Sequence, residues 1–225
     1  MGTQEGVRPA FYALRRGGWR DYLTLLHPPY TLWHLSYVAL GAGLAPHFHL
    51  DRMLWALASF FLAMGVAAHA LDELKDRPLR TAIPNRALGG LAAVALLGAV
   101  AIGIGAAHAW GLGLLVFVAI GAVAVPAYNL ELMLHNGFGF AFFWGAFPAL
   151  TGYFVEAQTI RLEAVAVAAF AFATSLVQRT LSTPVRQARR THATTEGIEP
   201  LERSLRLLAW ALAALAVAVV AARLR

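Results

Sequence analysis

Two short polar stretches interrupt an otherwise apolar chain, and they hold the residues whose types and spacing suit chemistry. In the first stretch, His69, Asp72 and Asp76 are separated by three and four residues, so a helix that continues to Asp76 carries all three on one face. Paired carboxylates are oxygen ligands of the kind that Mg²⁺ prefers. His69 is a poor Mg²⁺ ligand and is better suited to donate a hydrogen bond to a phosphate or to Asp72.

Arginines follow these acids at once, with Arg80 and Arg86 close behind Asp76. A guanidinium group binds phosphate oxygens through two parallel hydrogen bonds. We therefore predict a diphosphate site in which Asp72 and Asp76 bind Mg²⁺ and His69, Arg80 and Arg86 contact the phosphates. The alternative is a solvated loop whose charges neutralise one another, with arginines that only fix the orientation of the chain in a membrane.

The second polar stretch covers residues 178–190, where Gln178, Ser182 and Arg186 recur every four residues. We interpret the stretch as a polar loop on the same side as the first. The spacing places these three side chains on one face of a helix.

Composition indicates what positions these residues. Of the 225 residues, 59% are hydrophobic and 13% are charged, against about 25% charged in soluble proteins. Seven apolar stretches approach the ~20 residues that a helix needs to cross a bilayer; they cover residues 29–46, 53–71, 88–107, 110–127, 137–155, 162–177 and 205–222. The sequence predicts an all-α, polytopic transmembrane bundle of about seven helices, formed by a single domain over residues 1–225.

The positive charge of the chain favours a membrane orientation over a nucleic-acid partner. A net charge of +6 is compatible with nucleic-acid binding, but the arginines lie at the ends of apolar stretches, which is typical of membrane anchoring. With the N-terminus in the cytoplasm, the cytoplasmic segments hold fourteen of the 18 Lys and Arg residues. We predict a multi-pass membrane protein with a cytoplasmic or interfacial N-terminal segment over residues 1–27, and no nucleic-acid partner. Cysteine is absent, which excludes disulfides and thiolate metal sites.

The first polar stretch resembles a signature of the UbiA superfamily of intramembrane prenyltransferases, Asn-Asp-x-x-Asp-x-x-x-Asp followed by a basic stretch with a proline. Here Ala68 and His69 stand at the Asn and the first Asp, while Asp72 and Asp76 match the other two acids. The basic stretch is similar in residues 80–86. The opening of the first helix, Tyr128-Asn-Leu-Glu131 and the glycine-rich residues 137–145 are also similar to the family, so the resemblance covers residues 28 to about 190.

Three departures from the family pattern accompany this resemblance. The second acidic motif belongs where this chain has Gln178, Ser182 and Arg186. The resemblance therefore implies that these three side chains face the same cavity as Asp72 from the opposite side, and that Arg186 contacts a diphosphate directly. Glu131 stands where a base follows the tyrosine, and the family typically has nine helices where seven are predicted here. The fold is therefore better supported by the resemblance than the catalysis.

The resemblance implies a helical bundle with a central cavity open to lipid and a Mg²⁺-dependent transfer of a prenyl group from a prenyl diphosphate to a lipophilic acceptor. It assigns catalysis and Mg²⁺ binding to Asp72 and Asp76. The implied diphosphate contacts are His69, Arg80, Arg86, Tyr128, Gln178, Ser182 and Arg186. Two alternatives remain: a catalytically silent relative that binds an isoprenoid or a partner protein, and an unrelated small membrane protein or transporter, which predicts ionisable residues near mid-membrane or broken helices in matching halves.

Overall fold

The computed structural model describes residues 8–132, 135–191 and 197–225, and this part of the chain consists of helices joined by short turns, without a strand. The helices are α1 (Trp19–Leu25), α2 (Pro28–Leu44), α3 (Leu50–Asp76), α4 (Asn85–Trp110), α5 (Leu114–Asn129), α6 (Gly137–Ala157), α7 (Leu162–Arg190) and α8 (Glu199–Arg223). The predicted all-α bundle of about seven long helices is confirmed, with α1 as a short extra helix. Residues 1–7 of the predicted N-terminal segment lie outside the described part.

Most of the long helices can cross a bilayer. Five of them, α3, α4, α6, α7 and α8, are long and apolar enough to do so. The remaining two, α2 and α5, have 17 and 16 residues, so at about 1.5 Å per residue they reach roughly 24–26 Å, short of a ~30 Å hydrocarbon core. The chain is accordingly a multi-pass membrane protein.

Helix α7 corrects the interpretation of the second polar stretch as a loop. The apolar run ends at Val177, but the helix continues to Arg190. Gln178, Ser182 and Val185 are buried, and their spacing gives this half of α7 one buried face, as in an amphipathic helix. Hydropathy marks where the lipid-facing part of the helix ends, whereas the buried face prolongs the helix beyond that point.

Close backbone contact fixes α6 against α2. A Cβ atom at Gly152 would meet the backbone carbonyl of Val38, and one at Gly41 would meet that of Ala149. Small residues of this kind let transmembrane helices approach until their backbones touch. Helix α2 also packs on α8, so it lies at the centre of the bundle.

Two wide, π-helical stretches interrupt the regular α-helices. They cover Phe61–Ala68 in α3 and Phe142–Ala146 in α6. A π-helical turn closes i→i+5 hydrogen bonds and is frequent at functional sites. Regular α-helix resumes at His69, so the first stretch sets the direction in which the acidic end of α3 faces, and Trp144 lies inside the second.

Buried carboxylates hold the loop that follows α3. Glu73 is fully buried and accepts hydrogen bonds from the Leu79 N–H at 2.9 Å, the Thr81 N–H at 2.8 Å and the Thr81 hydroxyl at 2.9 Å. Asp21 in α1 accepts one from the Ala82 N–H at 2.7 Å. These bonds tie α1, the end of α3 and the loop into one braced unit.

The segments richest in arginine meet at this same end of the bundle. Arg189 near the end of α7 forms two hydrogen bonds to Glu202 in α8, at 2.5 and 2.9 Å. Arg189 also donates to the backbone carbonyl of Arg8, at 2.9 Å. The predicted cytoplasmic segments therefore lie together, and the side of the membrane that they face stays a prediction.

Candidate functional site

A cavity of about 430 Å³ lies at the arginine-rich end of the bundle, between the N-terminal segment and helices α2, α3, α5, α6 and α7. Seven of the nine predicted site residues line it: His69, Asp72, Asp76, Tyr128, Gln178, Ser182 and Arg186. The two polar stretches, far apart in the sequence, thus face one shared cavity. The predicted common cavity for Asp72 and the α7 residues is what the structure shows.

The two other predicted residues lie elsewhere in the described part of the chain. Arg80 donates a hydrogen bond to the backbone carbonyl of Arg190 at 3.4 Å, and Arg86 is exposed in the first turn of α4. Neither belongs to the described cavity lining. Their contacts with a diphosphate stay a prediction without support from the cavity geometry. Nearby Arg77 braces the loop instead, donating to the Ile83 carbonyl at 2.7 Å.

One wall of the cavity is acidic. Asp72 and Asp76 lie one turn apart near the end of α3 and both line the cavity. Asp72 makes no hydrogen bond or ion pair with any other residue that the structure describes. Of the charged groups around it, Arg186 acts on it most strongly, followed by His135 and Arg190. The carboxylate of Asp72 is therefore available to a ligand in the cavity.

The carboxylates of the cavity can supply part of the ligand set of one divalent cation. Within residues 8–132, 135–191 and 197–225, no three His, Asp or Glu side chains are arranged so as to hold a metal ion by themselves. Mg²⁺, however, is usually bound through one or two carboxylates together with substrate phosphates, and Asp72 with Asp76 can supply that share. For a second Mg²⁺, α7 presents Gln178, Ser182 and Arg186 to the cavity instead of acids.

The opposite wall is basic, and of its arginines only Arg186 was predicted from the sequence. Arg179, Arg186 and Arg190 line the cavity from α7, and spacings of seven and four residues place them on one helical face. Arg179 donates a hydrogen bond to the Tyr128 hydroxyl at 2.9 Å. The side chains of Arg186 and Arg190 make no hydrogen bond or ion pair with other described residues. Once α7 is known to continue to Arg190, this spacing identifies Arg179 and Arg190 as members of the same face.

Histidines and tyrosines that were not predicted as site residues also line the cavity, among them His27 and Tyr12. The ring of His27 stacks on that of His69, with centroids 4.0 Å apart and planes at 14°, and its Nδ1 lies 2.8 Å from the Tyr12 hydroxyl. Burial lowers the pKa of His27 well below its usual value, and the charges of His69 and Arg186 act in the same direction. His27 is therefore neutral at pH 7. An isolated histidine such as His27 forms no sequence pattern that would assign it to the cavity.

Two polar atoms of the cavity lining are buried without a partner in the described protein. They are Oε1 of Gln178 and Nε2 of His27. A buried polar group without a hydrogen bond costs about 1–3 kcal/mol, so such groups call for an explanation. Both atoms belong to side chains that line the cavity, and a polar ligand there would satisfy them.

A second, apolar pocket of about 100 Å³ adjoins the polar cavity between α3, α4, α5 and α6. Its described lining has no charged side chain, and its larger members are Trp55, Phe60, Trp110, Phe117, Phe143 and Phe147. Trp144 lines both the polar cavity and the apolar pocket. A ligand with a polar head and an apolar chain could therefore use both, on either side of Trp144.

Glu131 stands where the UbiA resemblance leads one to expect a base. It forms an ion pair with Lys75, and its carboxylate lies 3.7 Å from Nε2 of His135. The hydrogen bond from Lys75 lowers the pKa of Glu131. Glu131 thus forms its ion pair with a basic residue of α3, Lys75, and this pair joins α3 to the loop that follows α5.

Comparison with solved structures relates this arrangement to a known fold. The chain is similar to the structure of a UbiA homolog from Archaeoglobus fulgidus bound to Cd²⁺, with a TM-score of 0.58 and 20% sequence identity over 90% of this chain and 77% of that chain. No family model and no curated protein matches the sequence. At this identity the likeness establishes the fold, and it confirms the UbiA-like bundle that the motifs of α3 predicted.

Proposed function

We propose that the protein is a divergent membrane prenyltransferase that moves a prenyl group from a prenyl diphosphate to a lipophilic acceptor. The observation that carries this proposal is the pair of opposed walls in one cavity: carboxylates of Asp72 and Asp76 on α3, and guanidinium groups on α7. The diphosphate lies between the walls. The prenyl chain lies in the apolar pocket beyond Trp144.

The residues divide the chemistry between them. The bond between C1 of the prenyl group and the diphosphate oxygen breaks, and its electron pair leaves with the diphosphate. The acceptor forms a bond to C1 and gives up a proton. Arg186 and Arg190 stabilise the negative charge that builds up on the leaving diphosphate. Asp72 and Asp76 would hold Mg²⁺, which when bound would supply further positive charge there.

Aromatic side chains adjoin the place where positive charge develops on the prenyl carbon. The rings of Tyr128 and Trp144 have centroids 4.3 Å apart, and both line the polar cavity. Aromatic faces attract a cation, and a cavity that excludes water protects a reactive carbocation from hydrolysis. The bound Cd²⁺ of the Archaeoglobus fulgidus homolog supports the proposal of a divalent-cation site in this fold.

Transfer is tested with the full chain in lipid nanodiscs. The protein is incubated with Mg²⁺, a membrane lipid extract and radiolabelled geranyl, farnesyl or geranylgeranyl diphosphate. We expect a labelled lipid product together with released inorganic diphosphate. Failure of every prenyl diphosphate to bind or react would overturn the proposal.

One observation favours a second candidate, a silent relative that binds an isoprenoid without transferring it. The α7 wall has no acid at the positions of the family's second acidic motif, which are Gln178, Ser182 and Arg186 here. The same experiment separates the two functions. The silent relative binds a prenyl diphosphate but releases no inorganic diphosphate. The transferase binds the prenyl diphosphate and also releases inorganic diphosphate.

A further inference from the structure

The basic wall on α7 presents three guanidinium groups, those of Arg179, Arg186 and Arg190, to one cavity. We infer that Arg179, Arg186 and Arg190 form a phosphate site that works without a divalent cation, so that the phosphate head of a membrane amphiphile is held directly by guanidinium groups. The chemical class of ligand is a long-chain phosphomonoester or diphosphate. The inference rests on the proposed function in one respect, namely that the ligand is amphiphilic. It does not require that a prenyl group is transferred.

Geometry is the first support. The three arginines lie on one face of α7 and line the cavity. Arg179 is fixed by its hydrogen bond to the Tyr128 hydroxyl at 2.9 Å and by the Phe140 ring, whose centroid lies 5.6 Å from its guanidinium carbon. Arg186 and Arg190 make no hydrogen bond or ion pair with other described side chains. Their donors therefore remain for a ligand.

Charge balance is the second support. Two neighbouring basic residues are already neutralised, since Lys75 pairs with Glu131 and Arg189 pairs with Glu202. Apart from the histidines, the remaining formal charges in the described lining are three guanidinium groups against the carboxylates of Asp72 and Asp76. This excess of positive charge favours an anion even before a metal ion binds.

The polar lining around the arginines is the third support. Gln178, one turn before Ser182, is only 3% exposed and leaves Oε1 without a partner in the described protein. That oxygen can accept a hydrogen bond from a protonated phosphate, and a turn of the amide offers its NH₂ group to a phosphate oxygen instead. Guanidinium groups bind phosphate through paired, charge-assisted hydrogen bonds, so the wall has suitable donors without a metal ion.

The test uses the full chain in phosphatidylcholine nanodiscs with EDTA present. Farnesyl monophosphate is titrated and its binding is measured by calorimetry. We expect saturable binding without a metal ion, weakened about tenfold or more in Arg186→Gln and in Arg190→Gln, as for the loss of a charge-assisted hydrogen bond. Arg203→Gln is the matched control, because Arg203 is exposed in α8 and outside the described lining; it should bind like the parent.

A further variant keeps the test independent of folding. Arg186→Lys retains the charge but loses the two-pronged geometry, so it should bind more weakly than the parent and more tightly than Arg186→Gln. Competition then identifies the source of the head group. Displacement by phosphatidic acid assigns it to a glycerolipid, and displacement by inorganic phosphate assigns it to a free anion. The metal-free site stands in both cases.

The outcomes separate this inference from the proposed function. Binding that needs Mg²⁺ and is unaffected by Arg186→Gln overturns the metal-free site but leaves prenyl transfer intact. Binding in EDTA without any transfer in Mg²⁺ supports the site and overturns the transferase. Absence of binding for both the monophosphate and the diphosphate, with or without Mg²⁺, overturns both.

Discussion

His69 lies flat against His27, with ring centroids 4.0 Å apart and planes inclined by 14°. Nδ1 of His69 donates a hydrogen bond to the Gly65 carbonyl of its own helix, at 3.1 Å. The position that would hold the first acid of the UbiA signature is therefore occupied by a ring fixed between a neighbouring ring and the α3 backbone. In place of a third carboxylate, the acidic wall has an imidazole ring.

Restoring an acid at this position should strengthen cation binding. In His69→Asp, a carboxylate three residues before Asp72 adds an oxygen ligand, so Mg²⁺-dependent binding of farnesyl diphosphate should reach half-saturation at about tenfold lower Mg²⁺. Titrations of Mg²⁺ at fixed farnesyl diphosphate measure this. His108→Asp, at the far end of α4 and exposed, is the control. An unchanged Mg²⁺ requirement in His69→Asp would contradict the proposed cation site.

Removal of one charge from the acidic wall should have the opposite effect. Asp72→Asn keeps the size of the side chain and abolishes Mg²⁺-dependent binding of prenyl diphosphates, because a neutral amide is a much weaker Mg²⁺ ligand than a carboxylate. Asp51→Asn is the matched control, since Asp51 lies on the same helix at its other end and is exposed. Equal binding by both variants would show that Asp72 holds no cation. Gel filtration and thermal melting check that both remain folded.

The contact between α2 and α6 predicts a large effect of a single methyl group. A Cβ atom in Gly152→Ala would overlap the carbonyl of Val38, so the helices must separate, at a cost of about 1–3 kcal/mol. Gly90→Ala is the control: a Cβ there meets nothing within 4 Å, and alanine stabilises a helix by up to about 1 kcal/mol relative to glycine. Melting in detergent should therefore rank Gly90→Ala at or above the parent and Gly152→Ala clearly below it.

The orientation in the membrane is tested by cysteine labelling, for which a chain without cysteine is well suited. A cysteine at Thr191, exposed at the end of α7, should react with an impermeant maleimide only from the cytoplasm. One at His47, exposed in the turn after α2, should react only from outside. A cysteine at Thr3, outside the described residues, should behave like that at Thr191. Reaction of Thr3→Cys from outside would reject the predicted topology.

The acidic wall could be predicted from the sequence because it depends on local geometry. His69, Asp72 and Asp76 share a face in any helix that includes them, and α3 includes all three. The basic wall was predicted incompletely, because hydropathy ended the helix at Val177. Once α7 is known to reach Arg190, the same spacing argument identifies the whole arginine face.

The rest of the site depends on tertiary contacts that leave no pattern in the sequence. Tyr12 and His27 enter the cavity because the N-terminal segment folds against α3 and α7, held by Asp21 and by Arg189. Arg80 was assigned to the diphosphate from its place after the acids. Its backbone lies in the left-handed region, with φ of 54°, in the loop that Glu73 holds, and such a turn cannot be derived from helical spacing.

The distribution of the two cavity walls along the chain affects the order in which the site is completed during synthesis. Helix α3, with Asp72 and Asp76, is made well before Arg186 and Arg190 at the end of α7. Arg189 in turn pairs with Glu202 in α8, the helix that follows α7 among the described residues. A nascent or truncated chain that ends before α7 therefore contains the acidic wall and helices α1 to α6 but has no basic wall. The proposed phosphate binding therefore requires synthesis through α8, and a truncation before α7 removes the basic wall while leaving the acidic wall of α3 in the chain.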